Sequence, residues 1–287
     1  MKIEKIAKIV GGQDGAIYGS ELFRFNTKGE CWVYNLEELK SDSEQELKAF
    51  SQFALDKKEQ IVPHSNSVCF GSEFYEDGDE YPLLYTNVYN NYAKAEDKMI
   101  GVCLVYRIQK TCDGFKSTLV QLIKIDFCED ENLWKASEKE HGVRPYGNFV
   151  VDKQTNSYWA FVMRDEKLGT RYFRFDLPSV KEVEIDPVLK IKKVVLSKND
   201  IKESFDCEYH RFIQGAIVYG GKIYSTEGFR NDTVNRPAIR IINLSTKKEE
   251  YIDIMNLGFL DEPECIDFYN GTCFYSDYSG ALYKVEF

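Results

Sequence analysis

Residues 213–228, IQGAIVYGGKIYSTEG, form the most constraining pattern in the chain. An apolar run opens on Gln-Gly, meets a turn at Gly220-Gly221, and is followed by a second run that ends on another Gly. Glycines between β-branched and aromatic runs specify a tight hairpin, because the favoured two-residue turns need positive φ that glycine adopts freely. Four other stretches repeat the design: DGAIYGSELFRF, SNSVCFG followed by YPLLYTN, YGNFVVD followed by SYWAFVM, and ECIDFYNGTCFYSD. Each has a polar or tight start and an apolar strand. A Gly- or Asp-rich turn follows, then a strand with Tyr or Trp near its beginning.

The repeats start at residues 14, 65, 146, 214 and 264, at intervals of 51, 81, 68 and 50. The shorter intervals approach the ~40–45 residues of a four-stranded propeller blade, and the longer ones hold insertions. The expected fold is therefore all-β, a five-bladed β-propeller filling residues 1–287 as one domain. The last repeat shows three strands before Phe287, and the amino-terminal IEKIAKIV supplies the fourth, closing the ring and removing an open edge. A six-bladed ring is the alternative, its extra blade lying between residues 92 and 128, where two strong strands occur. Residues 37–62 are charged, with apolar positions near helical spacing and Ser43 three residues before Glu46, and they fit a helix or a decorated outer strand.

Composition narrows the classes of partner. The 19 Tyr and 19 Phe suit pleated strands. A net charge of −10 disfavours nucleic acid and anionic membranes. No apolar run reaches 18 residues and the amino terminus lacks a signal-peptide pattern, so a cytoplasmic location is expected. The eight cysteines contain no Cys-x-x-Cys and sit largely in apolar runs, which predicts reduced thiols packed as small hydrophobes. No Walker A, dinucleotide-binding or nucleophile-elbow pattern is present.

In a propeller, the residue that begins each innermost strand faces one mouth of the central channel. Here that ring is Asp14, Ser65 with His64 and Asn66 beside it, Tyr146 with Asn148 near, Gln214 and Glu264. The three histidines, His64, His141 and His210, all lie just upstream of proposed inner strands. Such a ring offers oxygens to a cation and forked donors and acceptors to hydroxyl groups. Tyr146, Trp159, Tyr89, Tyr92 and Phe229 are aromatic candidates for the apolar face of a sugar ring.

IQGAIVYGGKIYSTEG, AIRIINLSTKKEE and EPECIDFYNGTCFYSD together resemble the five-bladed propeller of staphylococcal-phage receptor-binding tail proteins and of teichoic acid biosynthesis C-like proteins. Gln214, Gly215, Tyr224, Glu262, Pro263, Glu264 and Ile266 carry the likeness, while Cys265 and Ala216 depart from it. The resemblance covers about 75 residues closely. It implies a non-enzymatic module recognising a glycan or other small polar ligand at the channel mouth. Asp14-Gly15-Ala16-Ile17 and Gly221-Lys222-Ile223-Tyr224 also echo the glycoside hydrolases of family forty-three. There, Gln214 occupies the place of the essential acid, and an amide cannot donate its proton as a carboxylic acid does. Two further readings stay open. One is a metal-assisted hydrolase or lyase using Asp14, Glu264 and the histidines around a Ca²⁺ cofactor; the other is a purely protein-binding propeller.

Overall fold

The computed structural model describes residues 1–40, 44–57, 61–88, 101–125, 144–165, 168–181, 185–187, 190–208 and 212–287, with backbone alone at 144–148 and 163–165. Five antiparallel blades stand in a ring. The first is β2 (Gly15–Tyr18), β3 (Glu21–Phe25), β4 (Glu30–Asn35) and β6 (Ser51–Ala54). The second runs from β7 (Pro63–Phe70) through β8 (Leu84–Val88) and β9 (Val102–Thr111) to β10 (Gly114–Ile125). The third holds β11 (Arg144–Asp152), β12 (Ser157–Asp165), β13 (Gly169–Asp176) and β15 (Glu203–Cys207). The fourth holds β16 (Ile213–Tyr219), β17 (Lys222–Glu227), β18 (Ala238–Asn243) and β19 (Glu249–Asp253). The fifth holds β20 (Pro263–Tyr269), β21 (Thr272–Asp277) and β22 (Ala281–Glu286), completed by β1 (Lys2–Lys8). β9 and β10 are the outer strands of the second blade, so the ring has five blades and not six.

β1 pairs antiparallel with β22 from Lys2–Glu286 to Lys8–Ala281, so the amino-terminal strand closes the ring as expected. Two insertions also reach backwards. β5 (Gln45–Glu46), between β4 and β6 of the first blade, pairs parallel with β1 of the fifth. β14 (Lys192–Leu196), between β13 and β15 of the third blade, pairs parallel with β10 of the second. Each covers an outer edge that would otherwise present unpaired backbone groups. The charged segment after β4 is thus a short helical turn, Leu36–Glu38, followed by two short strands. Its apolar spacing serves contacts on either side of an edge and does not build a helix. The proposed cap at Ser43 lies outside the described residues.

Blades press on each other through both faces, which explains strands that are apolar on successive residues. In β3, Phe23 and Phe25 turn toward the second blade, where Phe23 meets Phe70 and Phe115 with ring centroids 5.2 and 5.6 Å apart. Leu22 turns the other way and packs with Cys265 and Phe274 of the fifth blade. Trp159 is buried in such an interface, edge-on to Phe205, so it is a core residue and not a sugar platform. Cys31, Cys69, Cys103, Cys265 and Cys273 are buried free thiols, and no disulfide occurs among the described residues.

The inner strands are tied in sequence around the axis by side chains that accept backbone N–H groups of the next blade. Asp267 Oδ2 accepts from Ile17 N at 2.6 Å, and Asp14 Oδ2 accepts from Val68 N at 2.8 Å. Ser67 Oγ donates to the Phe149 carbonyl. Gly215 lies against this ring so closely that a Cβ there would stand 2.3 Å from the Glu264 carbonyl oxygen and 2.8 Å from Asp14 Oδ1. Gly215→Ala is expected to lower the unfolding free energy by about 2 kcal/mol, an overpacking cost at a site where backbone must yield. Urea unfolding measures it; an unchanged midpoint would show that the inner strands separate freely.

Candidate functional site

The mouth is built by broken pairing. At one end of the ring, four inner strands lose register with their partners: β7 between Pro63 and Val68, β11 between Arg144 and Asn148, β16 between Ile213 and Gly215, and β20 between Pro263 and Cys265. A bulge leaves a residue out of the ladder and re-aims its side chain. His64, Ser65, Asn66, Tyr146, Gln214 and Glu264 all fall within these breaks, and Asp14 immediately precedes β2. Two non-glycine residues here take left-handed backbone, Ser65 at φ 61° and Phe212 at φ 58°. Strained φ values of this kind persist where surrounding structure fixes them.

The floor is a trio of buried ionisable groups. Glu264 is 1% exposed; its Oε1 accepts from Gln13 Nε2 at 3.0 Å, while Oε2 is buried with no hydrogen-bond partner. Asp14 is wholly buried, bonded through Oδ2 and unpartnered at Oδ1. Arg24, from β3 of the first blade, is also wholly buried. Its Nη2 donates to the carbonyls of Gly12 at 2.9 Å and Asp277 at 3.0 Å, and its Nε and Nη1 have no partner. Burial raises the pKa of both carboxyls well above the usual range, and the Arg24 charge opposes this only in part.

The rim is made of amides and acids. Gln214 Nε2 donates to the Gly228 carbonyl at 3.2 Å and to Glu262 Oε1 at 2.5 Å. Asn66 N donates to Asn87 Oδ1 at 3.1 Å, and Asn87 Nδ2 donates back to Asn66 Oδ1. Gln13, Asn66 and Gln214 are each 7% exposed. Among the described residues, Gln13 Oε1, Gln214 Oε1 and Asn66 Nδ2 have no protein partner. Glu262 stands beside Asp261, and burial together with that neighbouring charge raises its pKa. Phe212 and Phe229 pack at 4.4 Å next to Gln214.

The sequence-derived ring is thus assembled around one mouth at Asp14, Ser65, Asn66, Gln214 and Glu264. Ser65 and Asp14 serve mainly to join blades, the Asp14 N–H donating to the Ser65 carbonyl at 2.9 Å. His64 is half-buried in β7. Asn148 returns to the ladder opposite Phe161, and the side chains of Tyr146 and Asn148 lie outside the described residues, as do His141, His210, Tyr89 and Tyr92. Four participants escaped sequence reading. Gln13 and Glu262 neighbour recognised positions, and Asn87 gave no signal. Arg24 did give one: a lone basic residue inside ELFRF, a strand whose two faces are otherwise apolar.

The raised carboxyl pKa values have a direct consequence for stability. Between its ordinary value near ~4 and its raised one, each acid is protonated in the folded chain and ionised in the unfolded chain. Rising pH through that window therefore removes about 1.4 kcal/mol per unit and per group. The unfolding free energy of Glu264→Gln relative to wild type should increase from pH 4 toward neutrality, measured as urea midpoints along a pH series. A constant difference would show that Glu264 is ionised in the fold.

Among the described residues, no group of three or more His, Cys, Asp or Glu is placed to hold a metal ion. No helix among the described residues is long and apolar enough to cross a membrane. The fold and site define a five-bladed propeller with a polar mouth floored by buried acids. No family model and no curated protein matches the chain. Among solved structures, the crystal structure of Myxococcus xanthus glutaminyl cyclase is similar, with a TM-score of 0.51 and 10% identity over 100% of this chain and 94% of that one. At that identity the likeness concerns the fold alone.

Proposed function

We infer that the mouth is an acid–base site acting on a small amide- and amine-bearing substrate, with an amino-terminal glutaminyl group as the substrate that fits best. The observation that carries this is Glu264, a buried acid whose Oε2 has no protein partner, near the side-chain amides of Gln13 and Gln214 with their free oxygens. Those oxygens accept N–H groups, and the acidic rim at Asp261 and Glu262 favours an ammonium over a carboxylate. Cyclisation needs one proton relay. The α-amine nitrogen bonds to the γ-carboxamide carbon and loses a proton, the carboxamide nitrogen gains one, and the C–N bond breaks to release ammonia. A carboxyl that gives a proton to the leaving nitrogen and recovers one from the amine serves both halves. The activity named for the similar propeller, glutaminyl cyclase, supports the same chemistry.

A second reading, recognition of a glycan or other polar ligand without reaction, rests on the unpartnered amide atoms of Gln13, Asn66 and Gln214, with the Phe212–Phe229 pair beside Gln214. The resemblance of residues 213–228 and 262–277 to phage receptor-binding propellers supports it. One experiment separates the two. Purified protein is incubated with glutamine-terminated peptides and ammonia is measured, and the same preparation is applied to a glycan array. Ammonia release supports the enzyme; array binding without it supports the recognition module and removes the first reading.

A further inference from the structure

Beside the mouth, between the fourth and fifth blades, lies a cleft of about 520 Å³ whose chemistry is the reverse of the rim. Lys5, Lys8 and Arg230 line it in a chain of net charge −10. Its two carboxylates are already engaged. Asp277 accepts from Ser279 Oγ at 2.7 Å, Ala281 N at 3.0 Å and Tyr283 Oη at 2.9 Å. Asp261 accepts from Glu262 N at 2.9 Å and stands 3.6 Å from Arg230. Lys8 Nζ donates to the Ser279 carbonyl at 2.5 Å and has no carboxylate within 4.0 Å among the described residues. Lys5 pairs with the exposed Glu44. Phe259, Leu260 and Tyr283 supply an apolar wall.

The cleft adjoins the mouth along the chain: Asp261 lines the cleft, and the next residue, Glu262, accepts from Gln214 Nε2 at the rim. Glu262 is further tied to the cleft side by the Tyr278 N–H, which donates to its carbonyl at 2.8 Å. A ligand whose amino end occupies the mouth therefore leaves it over this cleft. The geometry points to the cleft as the seat of the residues that follow the amino-terminal residue of a peptide, selecting one with an acidic side chain beside an apolar one. This rests on the reading of the mouth as a site for a peptide amino terminus. Partly exposed lysine and arginine side chains contribute modest, salt-sensitive attraction, so the preference is expected to be about fivefold.

The test uses two peptides labelled with a dye at the carboxyl end, Gln-Ala-Glu-Glu-Ala and Gln-Ala-Gln-Gln-Ala. Fluorescence anisotropy gives Kd for the intact protein, and ammonia release gives turnover. The acidic peptide should bind about fivefold more tightly at low salt, an advantage that shrinks at high salt and in both Lys8→Met and Arg230→Met, while the neutral peptide is unaffected. Equal Kd values for the two peptides, or an advantage that survives both substitutions, overturns the assignment. A binding preference without ammonia from either peptide leaves the cleft standing and removes the cyclase reading. Turnover of both peptides with equal Kd does the opposite.

Discussion

Glu264→Gln is expected to lower kcat/KM for a glutamine-terminated peptide by about 10³-fold, within the usual worth of a positioned general acid or base. The substitution keeps the shape of the side chain, and its amide oxygen still accepts the bond from Gln13 Nε2 that Glu264 Oε1 now receives. What it removes is the transferable proton at Oε2, so the loss should appear in kcat, with KM nearly unchanged. The fold should not suffer, because burial disfavours the charged form of this acid and a permanently neutral amide of the same shape replaces it. Equal turnover in wild type and variant would exclude Glu264 as the proton carrier. An inactive variant that also unfolds earlier would make its role structural.

Arg24→Met should lower the unfolding free energy by about 3 kcal/mol, with the urea midpoint falling at constant slope. Arg24 Nη2 holds the carbonyls of Gly12 and Asp277, one from the approach to the first blade and one from the end of β21. Each is a hydrogen bond from a charged donor, worth roughly 1.5–3 kcal/mol, and its loss leaves a carbonyl without that partner. Opposing this, the cation's own desolvation disappears, and buried charges replaced by apolar groups of similar volume often cost little. The two carbonyl bonds decide the sign, because methionine fills the space and supplies neither. A second effect separates this role from simple packing. The Arg24 charge draws down the pKa of Asp14 and Glu264, so its removal raises both further and shifts any pH–rate profile upward. A midpoint equal to that of wild type, or an unmoved profile, would refute the assignment.

The ring of blades was legible in the chain because each hairpin announces itself locally. Gly220-Gly221 and Asn270-Gly271 adopt the positive φ values their turns demand, and residues 2–8 had only one place to go once the fifth blade showed three strands. The outer edges were harder to read. β14 pairs with a strand some seventy residues before it, and β5 is two residues long, so neither leaves a periodic signal. The mouth was located from strand beginnings, which works because bulges cluster there. The roles of its residues were not legible. Asp14 reads as a ligand in sequence, yet it binds a neighbouring strand, since an acidic oxygen beside an exposed strand N–H finds that donor first. Arg24 lies ten residues from the nearest mouth residue assigned from sequence, and only the packing of the first blade on the fifth brings it under Glu264.

The backward-reaching strands impose an order on how the ring can be made. A chain emerging from the ribosome completes its first blade by residue 54, but the edge of its second blade waits for residues 192–196, after most of the third has appeared. β1 emerges first and waits longest, since its antiparallel partner β22 ends at Glu286. Domains fold in the direction of synthesis where they can; here the earliest strand is locked by the latest. The nascent protein thus carries an open edge at β10 until residues 192–196 appear and one at β1 until β22 appears, each able to pair with a neighbouring chain. Completion of the last blade is therefore also the step that seals the molecule against its own copies.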